Sequence, residues 1–364
     1  MNTALLNFLA CPKCHCRPKL ERFEQGDHSS SNSRSANGEV VFGVLQCECG
    51  TLYPIIDGVP RFLEGGLRSF PEFVSQHRLD LEKLGHVGAC EPRNRGSVSD
   101  NDYDNIRKSF SQEWGIFDYE GDKTWGWTLE ERKRVFLGDV AMKPEELCGK
   151  RLLDAGCGNG TLTAALSDFD LEIVGLDLND GLGRAWRNRE KYAAKAIPQV
   201  QYVQGNLVDP PLREASFDLI YSSGVIHHTP SSKGAFDSLV RLTKQGGRLY
   251  VWVYGRRGLP VRLFFLCGRS LKRWISLRSL LGVCRALSPG YKVAAEALNR
   301  LGVLKFRSRT TREITLDLFD AFAPRYNFWH TEAEVYSWFV QKGFRNIRVS
   351  GVQKHGFGMY GDKI

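Results

Sequence analysis

The chain has 364 residues, of which 42% are apolar, 11% aromatic and 25% charged, values of a folded globular protein rather than a disordered or fibrous one. The length predicts two or three domains, at roughly 100–200 residues each, with enough core to need no disulfide staples; no apolar run approaches the ~18 residues of a spanning helix. Lys and Arg number 50 against 41 Asp and Glu, a net +9, which admits nucleic acid, an acidic membrane surface or an anionic small molecule as partner without choosing among them.

The opening M-N-T-A-L-L-N-F-L-A-C-P has no basic n-region and too short an apolar stretch for a signal peptide, so a reducing, cytoplasmic setting is expected. Of the ten cysteines, five fall within the first 49 residues. Cys11-Pro12-Lys13-Cys14 is a C-x-x-C knuckle, and Cys47-Glu48-Cys49 supplies a second, tighter pair. Four thiolates from two turns suit a tetrahedral, closed, structural Zn2+, which does no chemistry on a substrate; Cys16 is an alternative ligand. Residues 1–66 read as one β-rich unit. Strands are expected at Leu20–Glu24 and Glu39–Gln46, either side of a serine-rich loop over residues 26–38. Residues 67–104 read as a linker with one helix, Pro71–Leu84.

From about residue 105 to 364 the chain alternates short apolar runs with helical patterns: R-L-L-D-A, E-I-V-G-L-D, Q-Y-V-Q-G-N, F-D-L-I-Y-S and G-R-L-Y-V-W-V-Y. This spacing predicts an α/β fold with a doubly wound, mostly parallel, Rossmann-like sheet. A helix over Leu129–Val140 leads in. Another begins at a T-x-x-E box, Thr331 to Glu334, and ends at Gly343, with a strand at Arg345–Ser350 after it. Residues 255–328 show no sheet pattern and read as a helical insertion.

Leu152-Leu153-Asp154-Ala155-Gly156-Cys157-Gly158-Asn159-Gly160 is the strongest signal. A strand runs into glycines at every second position and then into a helix, so the backbone can turn sharply and approach a ligand. The spacing is neither the G-x-G-x-x-G of dinucleotide folds nor a Walker loop. Asp177 ends the second apolar run, where a carboxylate accepts ribose hydroxyls, and Asn206 ends the third, where a side chain meets an adenine edge. Three successive strand tips describe one nucleoside site.

This block resembles class I S-adenosylmethionine-dependent methyltransferases of the type 11 kind, over roughly residues 105–255 and 329–350. The resemblance implies that Gly156, Gly158 and Gly160 face the cofactor's methionyl part, that Asp177 holds the ribose, and that Asn206 with Leu207 flanks adenine, with Asp154 and Ser223 completing the cofactor-binding set. The family usually has Asp where Asn206 stands. The stretch C-E-C-G-T-L-Y-P-I-I-D-G-V-P-R-F resembles the small zinc-ribbon proteins that activate methyltransferases as separate partners; here the module is fused in cis over residues 5–63, to brace the catalytic domain or dock a partner. Asp209-Pro210-Pro211-Leu212 is similar to the D-P-P-Y motif of nucleic-acid amino-methyltransferases, but it precedes the fourth strand and lacks the aromatic, so it reads as a loop.

His227 and His228 follow the fourth strand at the carboxyl edge of the sheet, where substrates bind. A histidine can serve as base near neutral pH, and His228 is the preferred candidate; the competing reading is a structural H-H pair. Arg325 and Tyr326, in a segment (315–331) that also holds Asp317 and His330, are placed to orient the acceptor. F-S-Q-E-W-G-I-F and T-W-G-W-T, within residues 110–128, are expected to close over the cofactor. Residues 255–310 hold 13 basic residues and one acid, Glu296, which leaves the rest of the chain at −3. The insertion reads either as a lid with a solvated charged face or as a basic amphipathic helix at a membrane surface. The function expected is methyl transfer to a small-molecule or lipid-like, anionic acceptor, with peripheral membrane contact through 255–310. The alternative is an RNA methyltransferase, since basic charge suits phosphates and a zinc module ahead of such a domain also resembles a bacterial ribosomal-RNA guanine methyltransferase.

Overall fold

A computed structural model describes residues 1–23, 38–85, 100–116, 127–193, 199–256, 274–302, 309–353 and 355–364, with 258, 263, 265, 266 and 268–270. The serine-rich stretch 26–37, the linker stretch 86–99, residues 124–126 of T-W-G-W-T, and Lys272 lie outside the described residues.

The first unit contributes four short strands, β1 Lys19–Arg22, β2 Gly43–Gln46, β3 Leu52–Ile56 and β4 Val59–Phe62, each antiparallel to the next. Asp57 and Gly58 join β3 to β4, both at positive φ (53° and 74°), the geometry a two-residue D-G hairpin demands. The helix expected over 71–84 is two pieces, Pro71–Gln76 and Arg78–Lys83, broken at His77.

The second unit supplies β5 Arg151–Ala155, β6 Glu172–Asp177, β7 Val200–Gly205, β8 Phe217–Ser223, β9 Thr243–Tyr254, β10 Phe344–Gln353 and β11 Gly356–Lys363. Strands β5 to β9 are parallel where they pair, and β11 runs antiparallel between β9 and β10. The order β1-β2-β3-β4-β7-β6-β5-β8-β9-β11-β10 makes one continuous sheet of 11 strands. Both faces of its parallel part are covered, which is why β7 is buried along its whole length, Gln201 and Gln204 included.

The two units are therefore joined through the sheet itself. β4 pairs with β7 in parallel, Arg61 opposite Gln204 and Phe62 opposite Gly205. Trp186 packs against the D-G turn so closely that a Cβ on Gly58 would sit 2.2 Å from its ring. Behind the seam, buried Arg189 pairs with buried Glu39 and stacks on Trp186, and Arg61 donates to Gln204 (3.1 Å). The D-P-P-L loop docks the first unit as well: Ala10 N–H donates to the Pro211 carbonyl, and Arg213 N–H to that of Phe8.

Residues 255–328 contain helices Leu277–Arg300 and Thr311–Phe322, packed on each other through Leu280, Leu281, Cys284, Ile314, Leu318 and Phe319. Thr310 caps the second helix with Glu313 in a reciprocal box. The helix Glu332–Gln341 starts at Thr331, whose hydroxyl accepts from the Glu334 N–H, and Gly343 follows it at φ 74°. The strand β11, G-F-G-M-Y-G-D-K, was not expected: its alternating glycines carry little β signal, yet a Cβ on Gly358 or Gly356 would collide with Tyr250 or Trp252 of β9.

Candidate functional site

The carboxyl ends of β5, β6 and β8 converge under one helix, Asp100–Ile116. Gly156, Gly158 and Gly160 take positive φ values of 94°, 59° and 73°, where glycine has no steric penalty. A Cβ on Gly156 would lie 2.1 Å from Val225, and one on Gly158 2.7 Å from Trp114. Asp177 ties the turn down: Oδ2 accepts from Gly158 N–H (2.8 Å) and Oδ1 from Asn179 N–H (2.9 Å). Asn179 returns a bond from Nδ2 to the Gly158 carbonyl (2.9 Å). Burial raises the Asp177 pKa while these N–H donors oppose the rise. Each carboxylate oxygen retains acceptor capacity for ligand hydroxyls.

Asp154 is buried beneath the turn, where Oδ2 accepts from the Thr163 hydroxyl (2.6 Å), and burial pushes it up to about 6. Asn206 follows β7; its Oδ1 accepts from Val208 N–H (3.0 Å), which shapes the loop and leaves its amide N–H groups to a ligand. Leu207 is buried beside it, and Ser223 ends β8 half-buried.

His227 and His228 form a buried 3-10 turn, Ile226–His228. His228 Nδ1 lies 2.9 Å from the Tyr326 carbonyl. A carbonyl only accepts, so Nδ1 carries the proton and Nε2 keeps its lone pair. Burial lowers the His228 pKa, opposed by the field of Asp320 and by the Tyr326 bond, which keeps the ring neutral. His227 packs against Tyr254 (4.1 Å between ring centroids) and Trp252 (6.0 Å), and its carbonyl accepts from Phe328 N–H. Tyr326 thus meets the site through its main chain, while its ring stacks on Phe328 and Arg325 is exposed. Asp317 pairs with Arg309. His330 bridges Ser232 and Glu334, 3.0 Å from each.

The sequence marks part of the helix over the site: F-S-Q-E-W-G-I-F, expected to close over the cofactor, supplies Phe110 and Trp114 to it, whereas the turns before it, with Arg107 and Ser109, went unread. Arg107 and Ser111 bond Asp180 (2.9 and 3.2 Å), and Arg184 donates to the Trp114 carbonyl (2.6 Å). Trp114 covers Gly158, and Phe110 packs edge-on to His228 (5.6 Å). Ile106, Ser109, Phe110 and Glu113 recur at helical spacing and face inward. Ser109 and Glu113 are buried at 0% and 1% exposure, and among the described residues neither Ser109 Oγ nor Glu113 Oε2 has a hydrogen-bond partner. Both atoms of the Asn327 amide and Trp252 Nε1, beside the histidines, are in the same condition. Buried polar atoms without partners are costly, and their gathering at one sheet edge fits a polar ligand such as S-adenosylmethionine.

In the first unit, the Sγ atoms of Cys11, Cys14 and Cys49 lie within 4.8 Å of one another. The Cys11–Cys49 separation is 3.8 Å, close to the edge of a tetrahedron with Zn–S of ~2.3 Å. Cys47 is buried and in contact with Cys11. Cys16 is turned toward Glu48, which raises its thiol to about 11.

Comparison with known proteins agrees with this layout. Residues 153–251 match the family described as a methyltransferase domain, and residues 2–58 match the Trm112p-like proteins. An uncharacterised methyltransferase of Synechocystis sp. is 37% identical over 122 residues, 32% of this chain and 52% of that one. The sterol 24-C-methyltransferase of Pneumocystis carinii is 36% identical over 109 residues, 29% of this chain and 28% of that one. The chain spans about half, or less, of the length of these curated relatives. Magnesium protoporphyrin IX methyltransferase from Synechocystis, solved with bound S-adenosylmethionine, is 14% identical; the match covers 75% of this chain and 100% of that one, with a TM-score of 0.44. The chain combines a methyltransferase domain with a Rossmann-like sheet and a Trm112p-like module whose cysteine cluster fits a zinc ribbon.

Proposed function

We propose that the chain is an S-adenosylmethionine-dependent methyltransferase acting on a small, lipid-like acceptor. The observation that carries the reading is the glycine turn locked to Asp177 at the carboxyl edge of the parallel sheet, in a domain of methyltransferase type. Asp177 and Asn206 would hold the adenosine part, with the glycine turn at the methionyl end. The cofactor supplies a methyl group already activated on sulfur. The protein's tasks are then to align the acceptor, exclude water and remove a proton. His228 suits the last task, with its Nδ1 proton fixed by Tyr326 and its Nε2 lone pair intact. Tyr326 and Arg325 stand at the rim as orienting residues. Cys11, Cys14, Cys47 and Cys49 would hold a structural zinc remote from this chemistry.

The acceptor class is supported by similarity to a sterol methyltransferase and by the insertion. On the helix Leu277–Arg300, Arg278, Arg285, Lys292 and Arg300 recur every seventh or eighth residue along one stripe, with Val293 exposed beside it; Leu287 and Tyr291 are exposed on other sides of the helix, and Trp274 and Leu301 just beyond its ends. Beyond Ser288 the helix buries nothing. Basic and exposed apolar side chains together suit an anionic membrane surface. Among the described residues no helix is long and apolar enough to cross a membrane, so the contact is peripheral. Transfer of labelled methyl to total lipid, small-molecule and RNA fractions tests the reading. Label in the lipid or small-molecule fraction is expected; label confined to RNA would make the chain an RNA methyltransferase. Flotation with anionic but not neutral vesicles is expected, and equal recovery with both would remove the membrane contact.

A further inference from the structure

The helix Asp100–Ile116 places one group where the cofactor and acceptor regions meet. Glu113 is buried among three elements. Toward the glycine turn stands Asp177, and toward the histidines stands Asp320, which accepts from the Tyr254 hydroxyl (2.9 Å). Its own helix offers no counter-charge, because Arg107 is engaged by Asp180 and Asp104 and Lys108 is exposed beside Asp104. Arg184 is bonded to the Trp114 carbonyl and Arg269 to that of Arg325, while His228 is neutral beside Phe110. Among the described residues no cation pairs with Glu113, and its Oε2 has no donor. A carboxyl with two carboxylates for neighbours and no cation carries a proton: burial raises its pKa well above 4.5, and the fields of Asp320 and Asp177 add to the rise.

Resting on the cofactor reading above, we propose that Glu113 is the counter-charge for the sulfonium of bound S-adenosylmethionine, and that it gives up its proton when that cation arrives. A neighbouring positive charge favours the carboxylate and so opposes the effect of burial. The balance is simple: a neutral carboxyl and a cation enter the equilibrium, and a contact ion pair and one solvated proton leave it. S-adenosylhomocysteine lacks the methyl group and the charge, so it leaves the carboxyl protonated. Glu113 then reads cofactor from product, which differ in little else, and once the charge on sulfur is lost it takes a proton back. An ion pair strongest before transfer favours binding over the chemical step, so Glu113 is a positioning and selectivity residue rather than a catalytic one.

Titration calorimetry of the full, zinc-loaded chain with each ligand, at pH 7 in two buffers of different ionisation heat, tests this. For the parent chain the proposal expects S-adenosylmethionine to release roughly 0.5–1 proton more than S-adenosylhomocysteine. In Glu113→Gln that difference vanishes. S-adenosylmethionine binding then weakens at least about tenfold while S-adenosylhomocysteine stays within about threefold, which also reports an intact fold. Equal proton release by the two ligands in the parent chain overturns the proposal whether or not the variant folds. Equal weakening of both ligands in the variant overturns it too. Binding of neither ligand by the parent overturns the cofactor reading and this inference with it, whereas binding of both without distinction overturns this inference alone.

Discussion

The module seam and the carboxyl edge of the sheet both bury charge, and they do so in opposite ways. At the seam, Arg189 meets the Glu39 carboxylate and the Trp186 ring, and Arg61 meets the Gln204 amide. Among the described residues Arg61 Nε, Arg189 Nε and Nη1 and Trp186 Nε1 make no hydrogen bond there, but each buried charge faces a complementary group of the protein. Arg61 still feels burial, which lowers its pKa to about 10. At the carboxyl edge, Glu113 faces two further acids, and among the described residues the Ser109 hydroxyl and the Asn327 amide have no hydrogen-bond partner. Both regions leave buried polar atoms without partners, so the difference lies in charge: the seam sets opposite signs together, whereas the carboxyl edge gathers acids with no cation among the described residues.

The largest expected effect breaks the seam from outside. The cysteine cluster shapes the unit that delivers β4 to β7, and a structural zinc of this kind supplies about 10 kcal/mol of folding free energy. A strong chelator should therefore unfold residues 2–58 and expose β7. The expected result is loss of β-sheet signal and a lowered Tm, with zinc in the filtrate by elemental analysis. A chain that carries less than about 0.5 equivalents of zinc when purified mildly, or whose Tm ignores the chelator, would remove the metal from this account.

Next comes the seam's own charge pair. Glu39→Ala strands the Arg189 guanidinium, and loss of one partner of a buried pair costs about 3–5 kcal/mol. Urea unfolding followed by tryptophan fluorescence should show that loss as a lower midpoint with an unchanged slope. A loss under about 1 kcal/mol would mean that water or Trp186 already carries the charge.

These two regions also differ in how much of them could be read from sequence. The glycine turn with Asp177, and each cysteine pair, were legible because each is a local pattern; the strand tips followed from the regular alternation of apolar runs and helical patterns. The seam was not: Arg189 and Glu39 are 150 residues apart, and nothing near Val59–Phe62 marks it as an edge strand that continues a distant sheet. The D-P-P-L stretch was legible as a loop, but its task, holding Phe8 and Ala10, depends on the same long-range meeting. Glu113 was missed for a different reason. In F-S-Q-E-W a glutamate is an ordinary helix residue. The available hint was its position on the stripe of Ile106, Ser109 and Phe110, where a charge is out of place. His228 was visible as a candidate, but the tautomer that gives it a basic Nε2 comes from Tyr326, 98 residues away.

The smallest effect sharpens the comparison because its sign is reversed. A folded-state pKa above the unfolded value means that the native chain binds the extra proton, so stability falls as pH rises above about 4.5. Without ligand, Glu113 should therefore cost the parent chain up to about 1.4 kcal/mol for each pH unit above that point. Asp154 and Asp139, both raised by burial to about 6, act in the same direction over a narrower window. His228, lowered by burial, acts in the opposite direction: it favours the native state as pH rises through the ordinary histidine range. Glu113→Gln removes only the first of these contributions. The variant should match the parent in urea unfolding at pH 5 and exceed it at pH 7, whereas Glu39→Ala should lie below the parent at both. If Glu113→Gln is instead the less stable at pH 7, Glu113 has a protein partner, and the carboxyl edge, like the seam, meets its buried charge within the protein.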